Sequence, residues 1–532
     1  MGGVLATAGL AAAPLVLIVA LMLGPRWSAA WAGVAGFALA ALLASTATGL
    51  GGPPPVPGLP GPVAGPMIGV LAESGFTAAT ILWILWPALA LHEHQQRCGA
   101  LDALRAGLGR LTGERPLQIL FVGWFAALFL EGAAGFGTPV ALVAPILTGL
   151  GVAPVRAVVL ALLGHAAGVS FGALGTPVLA QVALTGIDAA GIAWRTALLH
   201  AVSGSLLMAF FVRTLREDGP RPAAPVIGWA AFAAAAFLLP SLAFAALIGP
   251  ELATLGGALA GGAAFVALLR CRAMRRGPPA SDGAASAPNP TGSTSAALAA
   301  PASAALGLRR ALWPYVVLVA LVLVTRALPA LSEALGSVVV QWRLFERFEG
   351  RMLPLTHPGT LLFVALLVGA GMQGVSARQL LPSLARAARR LLPVSAALFA
   401  MLALSRLMLH AGMIDALERG VVAGLGQGWP FVAPAVGALG SFVTGSATAS
   451  NVLFSTLQAQ TALGLGLPVA TMLAAQGFGA AIGNVVCPHN IVAGAATVGL
   501  AGREADVLRH TLLPCAAYLA LGGMLVAAWT AR

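Results

Sequence analysis

Apolar runs dominate this chain, and the places where they are interrupted carry the information. Uninterrupted stretches at 8–23, 28–50, 66–91, 195–212, 226–247, 250–270 and 512–530 approach the ~20 residues that a spanning helix needs. With the interrupted runs included, the pattern predicts an all-α polytopic membrane protein of about 12 transmembrane helices. Two interruptions share a design. Residues 131–142, EGAAGFGTPVAL, and 444–455, TGSATASNVLFS, are rich in Gly, Ala, Ser and Thr, and a second broken segment follows each, GALGTP at 172–177 and GNVVCP at 483–488. One such run alone would be as well explained by close helix packing of the GxxxG kind. Small residues and prolines at corresponding places in two hydrophobic halves point instead to a substrate site inside a membrane transporter.

Composition agrees with the pattern: 59% of residues are apolar and 9% charged, against about 25% charged in a soluble domain, and mean hydropathy is +0.92. The net charge of +12 comes from arginines, with no lysine anywhere. Arginines in short loops beside spans report orientation rather than nucleic-acid binding. Arg97, Arg105, Arg110 and Arg115 in a loop at 92–116, Arg270, Arg272, Arg275, Arg276, Arg309 and Arg310 at 270–310, and Arg378, Arg386, Arg389 and Arg390 in a loop at 375–390 should all be cytoplasmic. The Pro/Gly-rich loop 51–65, the segment 412–429 and both termini then fall outside. The N-terminal run has no basic residue before Arg26 and no clear cleavage region after it, so it is expected to remain as the first span. Residues 278–308 begin with a stretch rich in Pro, Ala, Ser, Gly and Thr and are expected to be a flexible cytoplasmic linker. It separates a first membrane half, 1–277, from a second, 309–532.

The charge-derived topology makes the halves an inverted repeat. Segment 117–149 leaves and returns to the cytoplasmic side in fewer residues than the ~40 that two full spans require, so a re-entrant hairpin is expected near 131–149, with its tip at Gly135 to Pro139. The same argument places a second hairpin near 444–462, with its tip at Ser446 to Asn451. Broken helices are expected near 154–185 and 467–500. Unwound backbone at membrane depth is tolerated only around a protein- or water-lined cavity, so tips and breaks should converge near the midplane.

The chemistry available there suits a small anion. A broken helix presents N–H groups at the N-terminus of its second half, where a carboxylate fits. Candidate substrate-binding residues are Gly135, Gly137, Thr138, Gly175, Thr176, Ser446, Thr448, Ser450, Asn451, Asn484 and His489. Ionisable residues inside a membrane mark function by default, so Glu131, His165 and His410 are proton-coupling candidates. Arg406, one turn from His410, is a candidate for neutralising the anion, or for pairing with an acid such as Asp415; Glu73 reads as interfacial. Cys98, Cys271, Cys487 and Cys515 lack metal-ligand spacing, and the HEH at 92–94 lacks the second His of HExxH because position 96 is Gln96; no metal and no cofactor are expected.

At these motifs the chain resembles the lactate permease family of bacterial secondary transporters. The resemblance rests on EGAAGFGTPVAL, FGALGTPVL at 171–179, the TGS and SN elements with LFSTLQ after them, and AATVGLAGREADVLRH at 495–510, in that order. It implies proton symport of lactate or glycolate across the bacterial inner membrane, with the lipid bilayer, a small carboxylate and a proton as partners. The family usually reads Ser-Asp-Thr-Ser-Ser-Asn in the second hairpin, where this chain has Ser446-Ala447-Thr448-Ala449-Ser450-Asn451, and Gly-Lys in the second break, where it has Gly483-Asn484. An acid and a base are absent together, which avoids an unpaired buried charge. A transporter of another organic anion, uncoupled or exchanging, is the alternative. An intramembrane enzyme would need a pair such as Ser170 and His165, which share a helix face poorly, and the chain has no GxSxG or HExxH.

Overall fold

The computed structural model describes residues 2–23, 27–46, 64–100, 114–135, 138–216, 224–276, 307–500 and 503–531. The segment expected to be a linker, the tip of loop 51–65 and Gly137 lie wholly or largely outside them. Described helices in the first half are α1 (Gly2–Leu23), α2 (Ala29–Thr46), α3 (Ala64–Arg97), α4 (Arg115–Ala133), α5 (Thr138–Gly149), α6 (Pro154–His165), α7 (Gly172–Thr185), α8 (Ala189–Arg216), α9 (Ala224–Leu247) and α10 (Pro250–Arg276). The second half contains α11 (Leu308–Ala327), α12 (Pro329–Gly336), α13 (Pro358–Met372), α14 (Ala377–His410), α15 (Met413–Gly424), α16 (Trp429–Thr444), α17 (Ala447–Gly464), α18 (Val469–Val486), α19 (Pro488–Thr497) and α20 (Glu504–Thr530). Among the described residues 10 helices are long and apolar enough to cross a membrane. The fold is that of a nearly all-helical polytopic membrane protein.

One element has no counterpart in the helical expectation. Strands β1 (Val340–Leu344) and β2 (Phe348–Met352) form an antiparallel hairpin, with Gln341 opposite Arg351 and Leu344 opposite Phe348. Phe345 and Glu346 turn it in left-handed conformation, the backbone that matches strand twist in a tight hairpin. Alternating Gln341, Arg343, Glu349 and Arg351 leave too few apolar positions for a spanning helix. Phe348 is the hairpin's anchor, fully buried with its ring 4.7 Å from that of His410.

Helix boundaries also correct two expected loops. Residues 92–97 are the last turns of α3, and Arg378, Arg386, Arg389 and Arg390 lie along the first turns of α14. Arg390 reaches back to pair with the buried carboxylate of Glu93, so the two helix ends are clamped together. His94 of the HEH segment bonds Gln373 at 2.7 Å.

Packing divides the helices into two apolar bodies. One core draws on α1–α3, α11, α13–α15 and α17, the other mainly on α4–α6, α8–α10, α16 and α18–α20. Each body therefore takes helices from both halves of the sequence. Within the second, α16 and α18 approach closely because Gly437, Gly479 and Gly483 lack side chains: a Cβ at any of them would enter the backbone of the facing helix. Gly483, assigned above to the second break, is thus a packing residue inside α18, and the backbone leaves the helix only at Cys487 (φ −64, ψ 126).

Replacing Gly437 with Val is expected to destabilise the protein by about 1–3 kcal/mol, the usual penalty for overpacking, read as a lowered melting temperature in detergent. Gly371→Val, where no atom lies within reach of a new side chain, serves as the control.

Candidate functional site

In the first half, regular helix ends at His165. A 3-10 stretch, Ala166–Phe171, follows, so the break opens earlier than Gly172. Then Ala173 (φ 43, ψ 57), Leu174 (φ 57, ψ 46) and Gly175 (φ 77, ψ 12) are all left-handed before helix resumes at Thr176 and Pro177. Non-glycine residues in this conformation cost roughly 1–2 kcal/mol each, and here full burial holds them in place. Gly172 is required by proximity: a Cβ there would fall inside contact distance of Glu131 Oε1.

The hairpins supply the facing parts. After α4, which contains a π-helical stretch at Phe121–Ala126, the chain turns at Ala134 and Gly135 (φ 60) and returns as α5. In the second half α16 ends at Thr444, Gly445 is left-handed (φ 78), and Ser446 caps α17 by accepting from Ala449 N at 3.3 Å. This second tip is narrower than expected, because Ser450 and Asn451 already sit within α17.

Both tips and the first break meet at one cavity, with α18 reaching it just before the second break. Its lining is Glu131 and Gly135 from the first hairpin, Val169, Gly172, Ala173 and Pro177 from the first break, Gly445 to Thr448 from the second tip, and Asn484 from α18. The centres of water-sized spheres can occupy about 20 Å³ of it, room for one or two waters; it is held nearly shut. Glu131 is 4% exposed, and among the described residues its carboxylate has no ion pair. The first N–H groups of α17, at Ala447 and Thr448, have no acceptor within the helix, since Ser446 serves only Ala449.

The other candidate residues divide according to their neighbours. Thr176 Oγ1 donates to Ala173 O at 2.6 Å, Ser450 Oγ to Gly437 O at 2.7 Å, and Asn451 Nδ2 to Pro177 O at 3.0 Å. These three brace the break and the tip from behind the cavity, as does Gly175, whose left-handed turn packs on Pro250. His165 is buried with Nδ1 2.6 Å from Ala161 O, off the cavity. His489 is exposed beside Gly445. Gly137 lies outside the described residues, as does the side chain of Thr138.

Arg406 and His410 belong to a separate cluster. They do share a face of α14, and both point to Glu73: His410 Nε2 is 2.9 Å and Arg406 Nε 3.8 Å from Glu73 Oε2. Glu73 is buried within the protein and also accepts from Glu349 N of β2 at 3.3 Å. Its place in the middle of an apolar helix turn hides that role, and the partner of Arg406 is Glu73 rather than Asp415.

Several residues at the centre were not singled out from the sequence because they carry no charge. Gln476 Nε2 reaches Ser450 Oγ at 3.1 Å, Gln458 Nε2 reaches Gln476 Oε1 at 3.1 Å, and Trp429 Nε1 reaches Gln458 Oε1 at 2.9 Å. Gln181 Nε2 donates to Leu473 O at 2.8 Å, tying α7 to α18. Ser170 bonds His200 Nε2 at 2.9 Å rather than His165, and donates to Gly477 O at 3.0 Å, while Tyr518 Oη is 2.8 Å from His200 Nδ1. The chain has one consistent direction, from Tyr518 through His200 and Ser170 to the Gly477 carbonyl. An amide or imidazole inside a predicted span, at helical spacing from a Gly-rich break, was the available signal.

Residues 8–531 match the L-lactate permease family. The chain belongs to that family. Among curated relatives, the L-lactate permease of Escherichia coli is 29% identical over 488 residues, covering 85% of this chain and 84% of its own. The glycolate permease of the same species is 29% identical over 463 residues, 81% of each, and the L-lactate permease of Streptococcus iniae is 29% identical over 393 residues, covering 73% and 78%. Two solved structures share the fold: the YdaH transporter of Alcanivorax borkumensis (TM-score 0.53, 13% identity, 94% of this chain and 98% of that one) and MtrF of Neisseria gonorrhoeae (TM-score 0.50, 15% identity, 96% and 97%). As a member of the L-lactate permease family, this multi-pass membrane protein is a transporter.

Gly172→Ala is expected to abolish uptake while leaving the protein in the membrane, because the new methyl group displaces Glu131. Ala173→Gly, which relieves left-handed strain, is expected to stabilise the protein by up to ~1 kcal/mol, read as a raised melting temperature. Uptake into vesicles and thermal unfolding of the two variants check both outcomes.

Proposed function

We propose that this permease moves a small monocarboxylate, lactate or glycolate, together with a proton across the bacterial inner membrane. The observation that carries the reading is the shared cavity, where a buried carboxyl group, Glu131, faces the free N-terminus of α17. The substrate carboxylate takes the N–H groups of Ala447 and Thr448, where the helix dipole favours negative charge. Two carboxylates confined to so small a space repel each other strongly at low dielectric. An anion therefore enters with Glu131 protonated, and release of one favours release of the other. The names of the curated relatives support lactate and glycolate as the substrates.

The hairpins α4–α5 and α16–α17 fit a re-entrant reading. A 12-residue α5 rises about 18 Å at 1.5 Å per residue, well short of the ~30 Å hydrocarbon thickness. With the two hairpins entering from opposite sides, their tips meet near mid-depth, as an inverted repeat requires. The nearly closed cavity is then an occluded arrangement, and a substrate of a few non-hydrogen atoms enters when the tips part.

A second reading, uncoupled flux or exchange of another organic anion, is favoured by Ala447 and Asn484, which give the second tip and second break no charge.

Reconstituted protein is expected to accumulate labelled lactate when an inward proton gradient is imposed; absence of saturable uptake for every short hydroxy acid would defeat the proposal. Glu131→Gln should lower gradient-driven accumulation tenfold or more, with a smaller effect on lactate exchange at equal pH. Equal loss of both activities would assign Glu131 a structural role, and gradient-independent transport by the unaltered protein would favour the second reading.

A further inference from the structure

The first hairpin borders a second opening besides the substrate cavity. Here α4 and α5 stand apart from α10 and α11, leaving a groove in which the centres of water-sized spheres can occupy about 470 Å³, within the range of pockets that take organic ligands. Phe125, Phe129, Leu142 and Ile146 form the hairpin wall, and Gly262 and Ala263 part of the α10 wall. Leu142 and Ile146 are half-buried and Ala263 is exposed, so the groove opens at the surface of membrane-crossing helices, toward lipid. Phe121, Phe125 and Ala126 of its lining belong to the π-helical stretch of α4, a distortion frequent at functional sites. Arg270 is its one polar lining side chain, whereas a bound water needs roughly two to four polar partners.

We propose that this groove binds an anionic glycerophospholipid of the cytoplasmic leaflet, with the phosphate on Arg270 and one acyl chain lying between the first hairpin and α10. Length fits a single leaflet: from Ala258 to Arg270, both in the lining, α10 rises about 18 Å at 1.5 Å per residue, a little over half of the ~30 Å hydrocarbon thickness. Charge selects the headgroup. The Arg270 end carries arginines expected to face the cytoplasm; Arg309 and Arg310 stand in the first turn of α11, just before the lining residue Leu312. Arg272 is matched by Glu114 at 3.2 Å, whereas Arg270 has no ion pair among the described residues. Basic pockets between spanning helices on the cytoplasmic side take anionic headgroups. Leu130 lines the groove and the next residue, Glu131, lines the substrate cavity, so one turn of α4 has lipid on one side and the transport site on the other. The lipid site is independent of which anion the protein carries.

The test places full-length protein in phosphatidylcholine liposomes with a trace of phosphatidylglycerol that carries a photoreactive group along its acyl chain, and maps the adducts by peptide mass spectrometry. Adducts are expected on α4, α5 and α10, about tenfold above those left by photoreactive phosphatidylcholine, the effect of one hydrogen bond to a charged group. Gly262→Leu extends a side chain into the groove, and a Cβ there meets Phe125 and Phe121 only at ordinary contact distances, 3.7 and 3.9 Å; labelling by both lipids should be lost. Arg270→Gln should bring phosphatidylglycerol down to the phosphatidylcholine level, and since Arg270 is exposed this variant tests the site even if Gly262→Leu fails to fold. Arg213→Gln, at a groove between α8 and α9, should leave the labelling of α4, α5 and α10 unchanged. Equal labelling by the two lipids, or equal loss in Arg213→Gln and Arg270→Gln, would overturn the proposal by showing that no headgroup is read at Arg270. Absence of adducts on α4, α5 and α10 would overturn it outright, and cross-links between two copies through α10 in their place would give the groove to a second copy of the chain. Uptake plays no part in the readout, so each of these outcomes leaves monocarboxylate transport standing.

Discussion

Backbone that leaves a helix inside a membrane has no water to turn to, and this structure is organised around meeting that requirement. At the first break the carbonyl of Ala173 accepts from Thr176, that of Gly168 from Thr254 at 2.7 Å, and that of Pro177 from Asn451. The last of these crosses from one half of the chain to the other. Unsatisfied groups would each cost several kcal/mol in hydrocarbon, so the break relies on Thr176 and Thr254, and Asn451 ties α17 to the helix that resumes after it. The same bond places the second tip beside the first break and leaves the cavity between them. Gln181 and Ser170 repeat the arrangement toward the carbonyls of Leu473 and Gly477.

This explains why so many polar side chains near the centre are occupied. Hydroxyl and amide groups that look like ligands in the sequence are spent on backbone carbonyls, and Thr176, Ser450 and Asn451 are the clearest cases. What faces the cavity is mostly backbone and small side chains, with Glu131 and Asn484 as exceptions. A polar residue close to a broken helix is therefore ambiguous until its bonding is known. Glu131 stands apart because its carboxyl has no cation beside it among the described residues, whereas Glu73, equally buried, is surrounded by Arg406, His410 and a strand N–H.

Much of the architecture could be read from the sequence because its causes are local. Glycine and proline mark the breaks by backbone geometry, and apolar length marks the spans. Close packing at Gly483 imitates a break signal, since both uses call for the absence of a side chain. The ends of α3 and α14 were hidden by arginines that look like loop residues but extend along helix surfaces to reach partners such as Glu93. The β hairpin and the Glu73 cluster depend on contacts between residues far apart in sequence, and no periodicity records them. Glutamines 181, 458 and 476 were overlooked for a related reason: charge draws attention in an apolar chain, but neutral amides satisfy carbonyls without needing a counterion.

The sharing of helices between bodies has a consequence for how the protein is made. Neither apolar body is complete when the first half has been inserted, and at that stage Ser170 and Gln181 lack the carbonyls of α18 while Pro177 lacks Asn451. The half-made chain must hold a left-handed break that has its bonds to Thr176 and Thr254 but not yet its ties to α17 and α18. Biogenesis thus runs through a state that is open at the very place where the finished protein is tightest. Insertion of the second half is also the step that completes the cavity.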